Sequence, residues 1–203
     1  MGFYSNFIFP WCLDWSMSSP IISKYRKEIL GDVSGEVLEI GFGTGLNLAY
    51  YPENVQKITT VDPNLGVNKL AQKRINNSEI SVDNLALSGE NLPMEDRSFD
   101  SVVSTWTLCS IADIDRAISE IYRVLKPGGK FFFIEHGLSD ETPIQVWQNR
   151  LNPIQNIIGD GCNLNRNIEA IIAKKFDNLR VKQFYEPKYP KVLGYMYQGV
   201  AIK

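Results

Sequence analysis

The chain has 203 residues, 44% of them hydrophobic and 22% charged, with a formal net charge of −2. That size suits one globular domain able to bury ~70% of its unfolded surface. The charge balance excludes the basic footprint of a nucleic-acid binder. Three scattered cysteines, Cys12, Cys109 and Cys162, form no C-x-x-C pair, which argues against a structural zinc site and fits a reducing compartment. No apolar run reaches the ~18 residues of a spanning helix. The first basic residue is Lys24, and "MGFYSN" carries Asn6 where a myristoylation signal needs Ser or Thr, so the expected location is cytoplasmic.

In chain order, residues 1–18 crowd Phe3, Tyr4, Phe7, Phe9, Trp11 and Trp15 together. Three readings stand: a lid over the substrate pocket, a membrane-surface anchor (though without interleaved Lys or Arg), and plain core packing. Pro20–Leu30 reads as a helix, with Lys24, Arg26 and Lys27 on a solvated face. Glu36–Ile40 reads as a buried strand ending at the loop Gly41–Gly45, and Leu46–Tyr50 as the start of a helix. Lys57–Val61 is a second strand, closed by Asp62. Asn64–Asn76 is helical, Ile80–Leu85 a third strand and Phe99–Thr105 a fourth. Asp113 can cap a helix with Ile114, Ala117, Ile118, Ile121 and Leu125 at helical spacing. Pro127, Gly128 and Gly129 stop it, and "KFFFIEH" is a fifth strand. A helical insert over 138–178 follows, with helices near Ile144–Ile157 and Arg166–Phe176. Strands near Val181–Tyr185 and Tyr195–Ile202 close the chain. The pattern predicts one doubly wound α/β domain over 1–203. It should be a Rossmann-like seven-stranded sheet, mostly parallel with an antiparallel last strand. Ligands in such sheets sit beyond the carboxyl ends of the strands.

The loop Gly41-Phe42-Gly43-Thr44-Gly45-Leu46 spaces its glycines as G-x-G-x-G. A dinucleotide fingerprint needs the third glycine one place later, and a phosphate loop needs a Gly-Lys-Ser/Thr ending. Glu39, two residues before Gly41, would repel a pyrophosphate and suits a cationic ligand. Asp62, ending the next strand, can accept both hydroxyls of a ribose. A ribose, a positive end and no phosphate describe S-adenosyl-L-methionine.

"VLEIGFGTG", "VDPN", "LSGENLPM", "FDSVVSTWTL" and "LKPGGKFFFIEH" occur in order at successive strand ends. With these motifs the chain resembles the class I S-adenosylmethionine-dependent methyltransferases over about residues 33–137. It is most similar to the small-molecule branch that includes quinone-biosynthesis and phospholipid enzymes. "STWTLCSI", "FIEHG", "DGCNL" and "GYMYQGVAIK" look like a bacterial subgroup close to the methyltransferase-like-seven proteins, which methylate alkyl thiols. The resemblance implies that Glu39, Gly41, Phe42, Gly43, Thr44, Gly45 and Asn47 surround the methionine moiety. It implies Asp62 for the ribose, Pro63 and Asn64 beside the adenine, and the loop Ser88, Gly89, Glu90, Asn91 near the adenine amino group. Ser88 stands where many relatives carry an aspartate. Thr105 and Trp106 sit where the fourth strand opens toward the sulfonium.

Methyl transfer from a sulfonium needs alignment above all, and a thiol acceptor needs little help to ionise. His136, the single histidine, follows the fifth strand and is either a general base or a backbone-bonded loop residue. Cys109 and Cys162 read as small buried residues. The motif of base-amino methyltransferases is missing, which with the acidic charge argues against nucleic acid, and no acid cluster suggests a catalytic metal. The leading expectation is therefore methyl transfer to a small apolar acceptor, with sulfur as the acceptor atom. A quinone precursor, a phospholipid at a membrane surface, or a non-catalytic cofactor-binding module are the alternatives.

Overall fold

A computed structural model describes residues 2–203. Seven strands form a single sheet: β1 (Val37–Ile40), β2 (Lys57–Val61), β3 (Ser81–Leu85), β4 (Phe99–Thr105), β5 (Leu125–His136), β6 (Asn178–Tyr185) and β7 (Tyr195–Ile202). Their order is β3-β2-β1-β4-β5-β7-β6. Pairings from β3 through β5 are parallel. The last strand, β7, inserts antiparallel between β5 and β6, as the sequence predicts.

The alternation of apolar residues along each strand divides the core between two faces. Leu38, Ile40, Val102, Phe131 and Phe133 meet Ile118, Ile121 and Val124 of helix α4 (Ile114–Val124) and Ile168 and Ile172 of α6 (Ile168–Ala173). Val37, Ile58, Val103, Phe132 and Ile134 meet Ile29 and Leu30 of α2 (Pro20–Leu30) and Ala71 of α3 (Leu65–Asn76) on the other. Side-chain caps start four of the helices. Ser19 accepts from Ile22 N for α2, Asn64 from Gly66 N and Val67 N for α3, Asp113 from Arg116 N for α4, and Asn167 from Ala170 N for α6.

Several boundaries move. Leu46–Tyr50 is a single 3₁₀ turn rather than a helix, because Gly45 enters it left-handed at φ 79° and Tyr51 leaves extended at ψ 143°. Backbone pairing of β5 starts at Leu125, but the register jumps from Phe99↔Leu125 to Ser101↔Lys130. The Pro-Gly-Gly stretch thus interrupts the ladder, and the regular strand is the expected one. The insert carries the longer helix α5 (Thr142–Ile158), and α6 is shorter than the sequence suggests.

The amino terminus forms a π-helical turn (Tyr4–Ile8) and helix α1 (Phe9–Met17). Only Pro10 among these is buried, while Phe3, Phe7, Trp11 and Trp15 stand exposed, so core packing does not account for its rings. Among the described residues, no helix is long and apolar enough to cross a membrane.

Candidate functional site

At the carboxyl end of β1 the chain must turn within van der Waals distance of β4's continuation. Gly41, Gly43 and Gly45 take φ of 77°, 56° and 79°, a region that favours glycine. A Cβ on Gly41 would collide with the Thr107 side chain, whereas one on Gly43 would meet nothing closer than 4.0 Å. Gly43 therefore lines open space with bare backbone, as a cradle for a ligand requires. Phe42 turns into the core. Thr44 is buried and donates its hydroxyl to Asp14 of α1.

Beneath this loop Glu39 is 1% exposed. Its carboxylate accepts from Asn47 Nδ2 at 2.8 Å and from the Tyr51 hydroxyl at 2.6 Å. Burial lifts its pKa to about 7 against the pull of those two bonds and of Arg26. Asn47 also donates to Thr105 Oγ1 at 3.0 Å and accepts from Arg26 Nε at 2.9 Å.

Arg26 overturns one expectation. It is 4% exposed, not solvated. Its guanidinium lies 5.1 Å from the centroid of the Trp106 ring and donates to Met17 O at 2.8 Å. Lys24 and Lys27 do face solvent. Helical spacing carried the missed signal, because Arg26 shares the buried stripe of Ile22, Ile29 and Leu30.

Asp62 joins the two ligand loops. Its Oδ2 accepts from Gly43 N at 2.8 Å and its Oδ1 from Asn64 N at 2.9 Å. Burial raises its pKa while those amides hold it down. Each oxygen keeps a lone pair for an outside donor. Pro63 is exposed and Asn64 buried. Asn64 Nδ2 reaches Ser5 O at 3.1 Å and Asp160 Oδ2 at 3.3 Å, and Ser5 Oγ donates to Asp160 at 2.7 Å. Pro10 and Asn6 cover Gly66, and Asp14 pairs with Arg74 at 2.8 Å. The amino-terminal segment thus closes over the loops of Gly43–Gly45 and Asp62–Gly66, not over His136.

The third loop is mixed. Gly89 approaches β1 so closely that a Cβ would lie 2.7 Å from Ile40 Cγ2. Ser88 bonds Glu90, and Glu90 Oε1 accepts from Asp113 N at 2.7 Å, so Glu90 fastens the entrance to α4. Asn91 is exposed. Gly89 is thus packed against β1, Ser88 and Glu90 are bonded to one another, and Asn91 faces solvent.

On the acceptor side, Trp106 is held left-handed at φ 50°, and its N–H donates to Ile134 O at 2.8 Å. Glu135, absent from the sequence reading, is fully buried and accepts from Thr107 N and from Leu108 N, the latter at 2.7 Å. It thereby fixes the turn after β4. His136 is half-buried, with Nε2 3.0 Å from Cys162 Sγ. Burial pulls the His136 pKa down, but the Cys162 contact and the Glu135 charge outweigh it and leave it raised. Burial and Cys109 push the Cys162 thiol far up.

A family profile described as a methyltransferase domain matches residues 38–133, the span of these loops. Human thiol S-methyltransferase TMT1A is 34% identical over 172 residues, covering 82% of this chain and 70% of that protein. The chain belongs to the class I S-adenosylmethionine-dependent methyltransferases. Thiol S-methyltransferase TMT1B of Rattus norvegicus is 37% identical to this methyltransferase over 185 residues, covering 87% of it and 75% of the rat protein. A Haemonchus contortus phosphoethanolamine N-methyltransferase, solved with S-adenosylhomocysteine, superposes with TM-score 0.74 at 19% identity. It covers 96% of this methyltransferase and 57% of that chain, a likeness of fold. The chain is therefore an enzyme that uses S-adenosyl-L-methionine, and the non-catalytic reading falls away.

Proposed function

We propose that this methyltransferase transfers the methyl group to the sulfur of a small, apolar thiol. One observation carries the reading: the acceptor side is poor in bases. Its single histidine is already engaged with Cys162 at 3.0 Å. A thiol with pKa ~8.5 is partly ionised at neutral pH and tolerates such a site, whereas a phenol or an ammonium needs a free base. The names of the two relatives support the same acceptor.

S-adenosylmethionine supplies a methyl group on a positively charged sulfur. The bare backbone of Gly41–Gly45 leaves room for its methionine end, with Glu39 as the anion below, oriented by Asn47 and Tyr51. Asp62 takes the ribose hydroxyls with its free lone pairs. Asn64 and the Ser88-Gly89 turn flank the base. Thr105 and Trp106 mark the way to the acceptor, where Trp106 and the closed loops exclude water. His136 acts by position rather than as the proton acceptor. Its loss should leave the pH dependence of thiol turnover set by the ionisation of the thiol itself.

The exposed rings Phe3, Phe7, Trp11 and Trp15, with Ile157 and Ile158 of α5, form an apolar face suited to bringing a hydrophobic acceptor from a membrane surface to a cytoplasmic enzyme. Tyr4 ties the two parts through Ile158 O at 2.7 Å. Co-sedimentation with zwitterionic vesicles tests that contact, and a protein left wholly in the supernatant rejects it.

The decisive experiment for the acceptor is a screen of alkyl thiols, phenols and amines that reads S-adenosylhomocysteine. Turnover confined to the thiols is expected. Turnover of the phenol alone, collapsing in His136→Ala, would replace the reading with a quinone-type enzyme.

A further inference from the structure

Cys109, His136 and Cys162 are far apart in sequence, and none belongs to a metal-binding spacing. The fold brings them to one point. Cys109 lies in the turn after β4, His136 ends β5, and Cys162 sits in the loop between α5 and α6. Their ligand atoms all lie within 4.8 Å of one another, and His136 Nε2 is 3.0 Å from Cys162 Sγ. A tetrahedral zinc ion with bonds of ~2.3 Å to sulfur and ~2.0 Å to nitrogen needs S···S near ~3.8 Å and S···N near ~3.5 Å. Side-chain shifts of roughly 1 Å separate the cluster from that geometry.

The cluster is built rather than incidental. Glu135 holds the amides of Thr107 and Leu108. Arg166 grips Leu108 O. Asn163 donates to Cys109 O twice, from its backbone at 3.0 Å and from Nδ2 at 2.9 Å, which locks the loop of Cys162 to the turn of Cys109. Both cysteines are buried, at 2% and 7% exposure, and His136 is half-buried. Two thiolates and a dication sum to zero charge, the combination such a dry site tolerates.

We propose that Cys109, His136 and Cys162 bind a thiophilic divalent cation, Zn2+ by ligand set, whose fourth position takes the sulfur of the acceptor. Three protein ligands and an open fourth place are the pattern of a catalytic rather than a structural zinc, and no further His, Cys, Asp or Glu joins the group among the described residues. The cation site stands on geometry alone, whereas the fourth-position clause rests on the thiol reading. A thiol entering there gives its proton to water. Its sulfur lone pair then forms the new S–CH3 bond as the methyl–sulfonium bond breaks, leaving S-adenosylhomocysteine and a thioether.

Cobalt(II) is the probe. The reduced full chain is expected to take up one Co2+, displaceable by Zn2+, with thiolate-to-cobalt absorption in the near ultraviolet and the strong visible bands of a four-coordinate ion. The Cys12→Ser variant, changed at an exposed cysteine, should behave alike. Cys109→Ser and Cys162→Ser, each nearly isosteric and checked by circular dichroism, should weaken uptake by roughly 100-fold or more. An alkyl thiol should shift the visible bands, and the matching alcohol should not. If the reduced wild type binds no cobalt, or binds it equally well in both serine variants, the cation site is wrong. A disulfide between Cys109 and Cys162 on mild oxidation, without any metal uptake, would put a redox pair in its place. Full thiol turnover in metal-free protein would overturn the fourth-position clause while leaving the thiol acceptor intact. A cobalt-bound chain with no turnover of any thiol would reject the acceptor and spare the cation site.

Discussion

Asp62 is the side chain on which the two ligand loops converge, since it holds Gly43 N and Asn64 N at once. With Asp62 as the proposed ribose acceptor, its removal would cost the cofactor that contact and both loops a shared anchor. Asp62→Ala should therefore weaken S-adenosylhomocysteine binding by roughly 1.5–3 kcal/mol, the worth of hydrogen bonds to a charged group. Isothermal calorimetry decides it, and an unchanged affinity would take Asp62 out of the site. Gly41 offers a contrasting failure. Any side chain there meets both a left-handed φ of 77° and Thr107, so Gly41→Ala should lower folding stability as well as affinity. Thermal unfolding separates the two variants, because Asp62→Ala removes a buried carboxylate whose pKa is already raised by desolvation and should cost the apo protein little. The turn of Gly41–Gly45 and the acid closing β2 were legible from spacing, whereas the residue-by-residue assignment to the cofactor came from the resemblance to the methyltransferases. Arg26, Tyr51 and Glu135 were legible from neither. Each acts by bonding residues distant in sequence, and only the fold reveals such partners.

At the level of elements, a lid over the substrate pocket is one of three readings that the sequence offers for α1 and the turn before it, and the contacts of that segment lie beside the glycine loop and Asn64. Ser5, Pro10 and Asp14 touch Asn64, Gly66, Thr44 and Arg74 on the cofactor side. A cover there would gate cofactor exchange before it grips an acceptor. A chain starting at Ser19 should lose those hydrogen bonds together with the Asp14–Arg74 pair, which is only partly exposed. Cofactor dissociation should accelerate by roughly 5- to 30-fold, the range set by the ~1–2 kcal/mol of one or two net hydrogen bonds. Stopped-flow displacement of S-adenosylhomocysteine measures this, and identical off-rates for the full and shortened chains would refute the cover. Why the sequence left three readings open for this segment is clear in physical terms. Its rings announce an apolar contact, but its position is set by polar anchors, Ser5 and Asp14, that carry no periodic signal.

For the whole molecule, alternation of strands with helices and the apolar character of each segment announce a mostly parallel sheet covered on both faces, whereas the strand order and the place of β7 between β5 and β6 are visible only in the fold. The buried carboxylate beneath the glycine loop could be placed but not weighed, because its cost depends on total burial. Glu39 has a folded pKa of about 7 against an ordinary 4.5. Between those values the folded chain binds a proton that the unfolded chain has released, so this group favours folding at low pH and loses that contribution as pH rises through about 7. The gap corresponds to roughly 3 kcal/mol for a group out of solvent. The cofactor-free protein should accordingly melt higher near pH 5 than near pH 8, and Glu39→Gln should flatten that slope. Cofactor binding runs the other way. The ammonium of the methionine end favours the ionised carboxylate, so affinity should fall as pH drops below about 7, by up to ~10-fold per unit while Glu39 alone titrates. Melting curves and calorimetry across pH 5–8 on both proteins test the pair of slopes together. If wild type and Glu39→Gln show parallel profiles in both measurements, Glu39 is not the group that couples the fold to its cationic ligand.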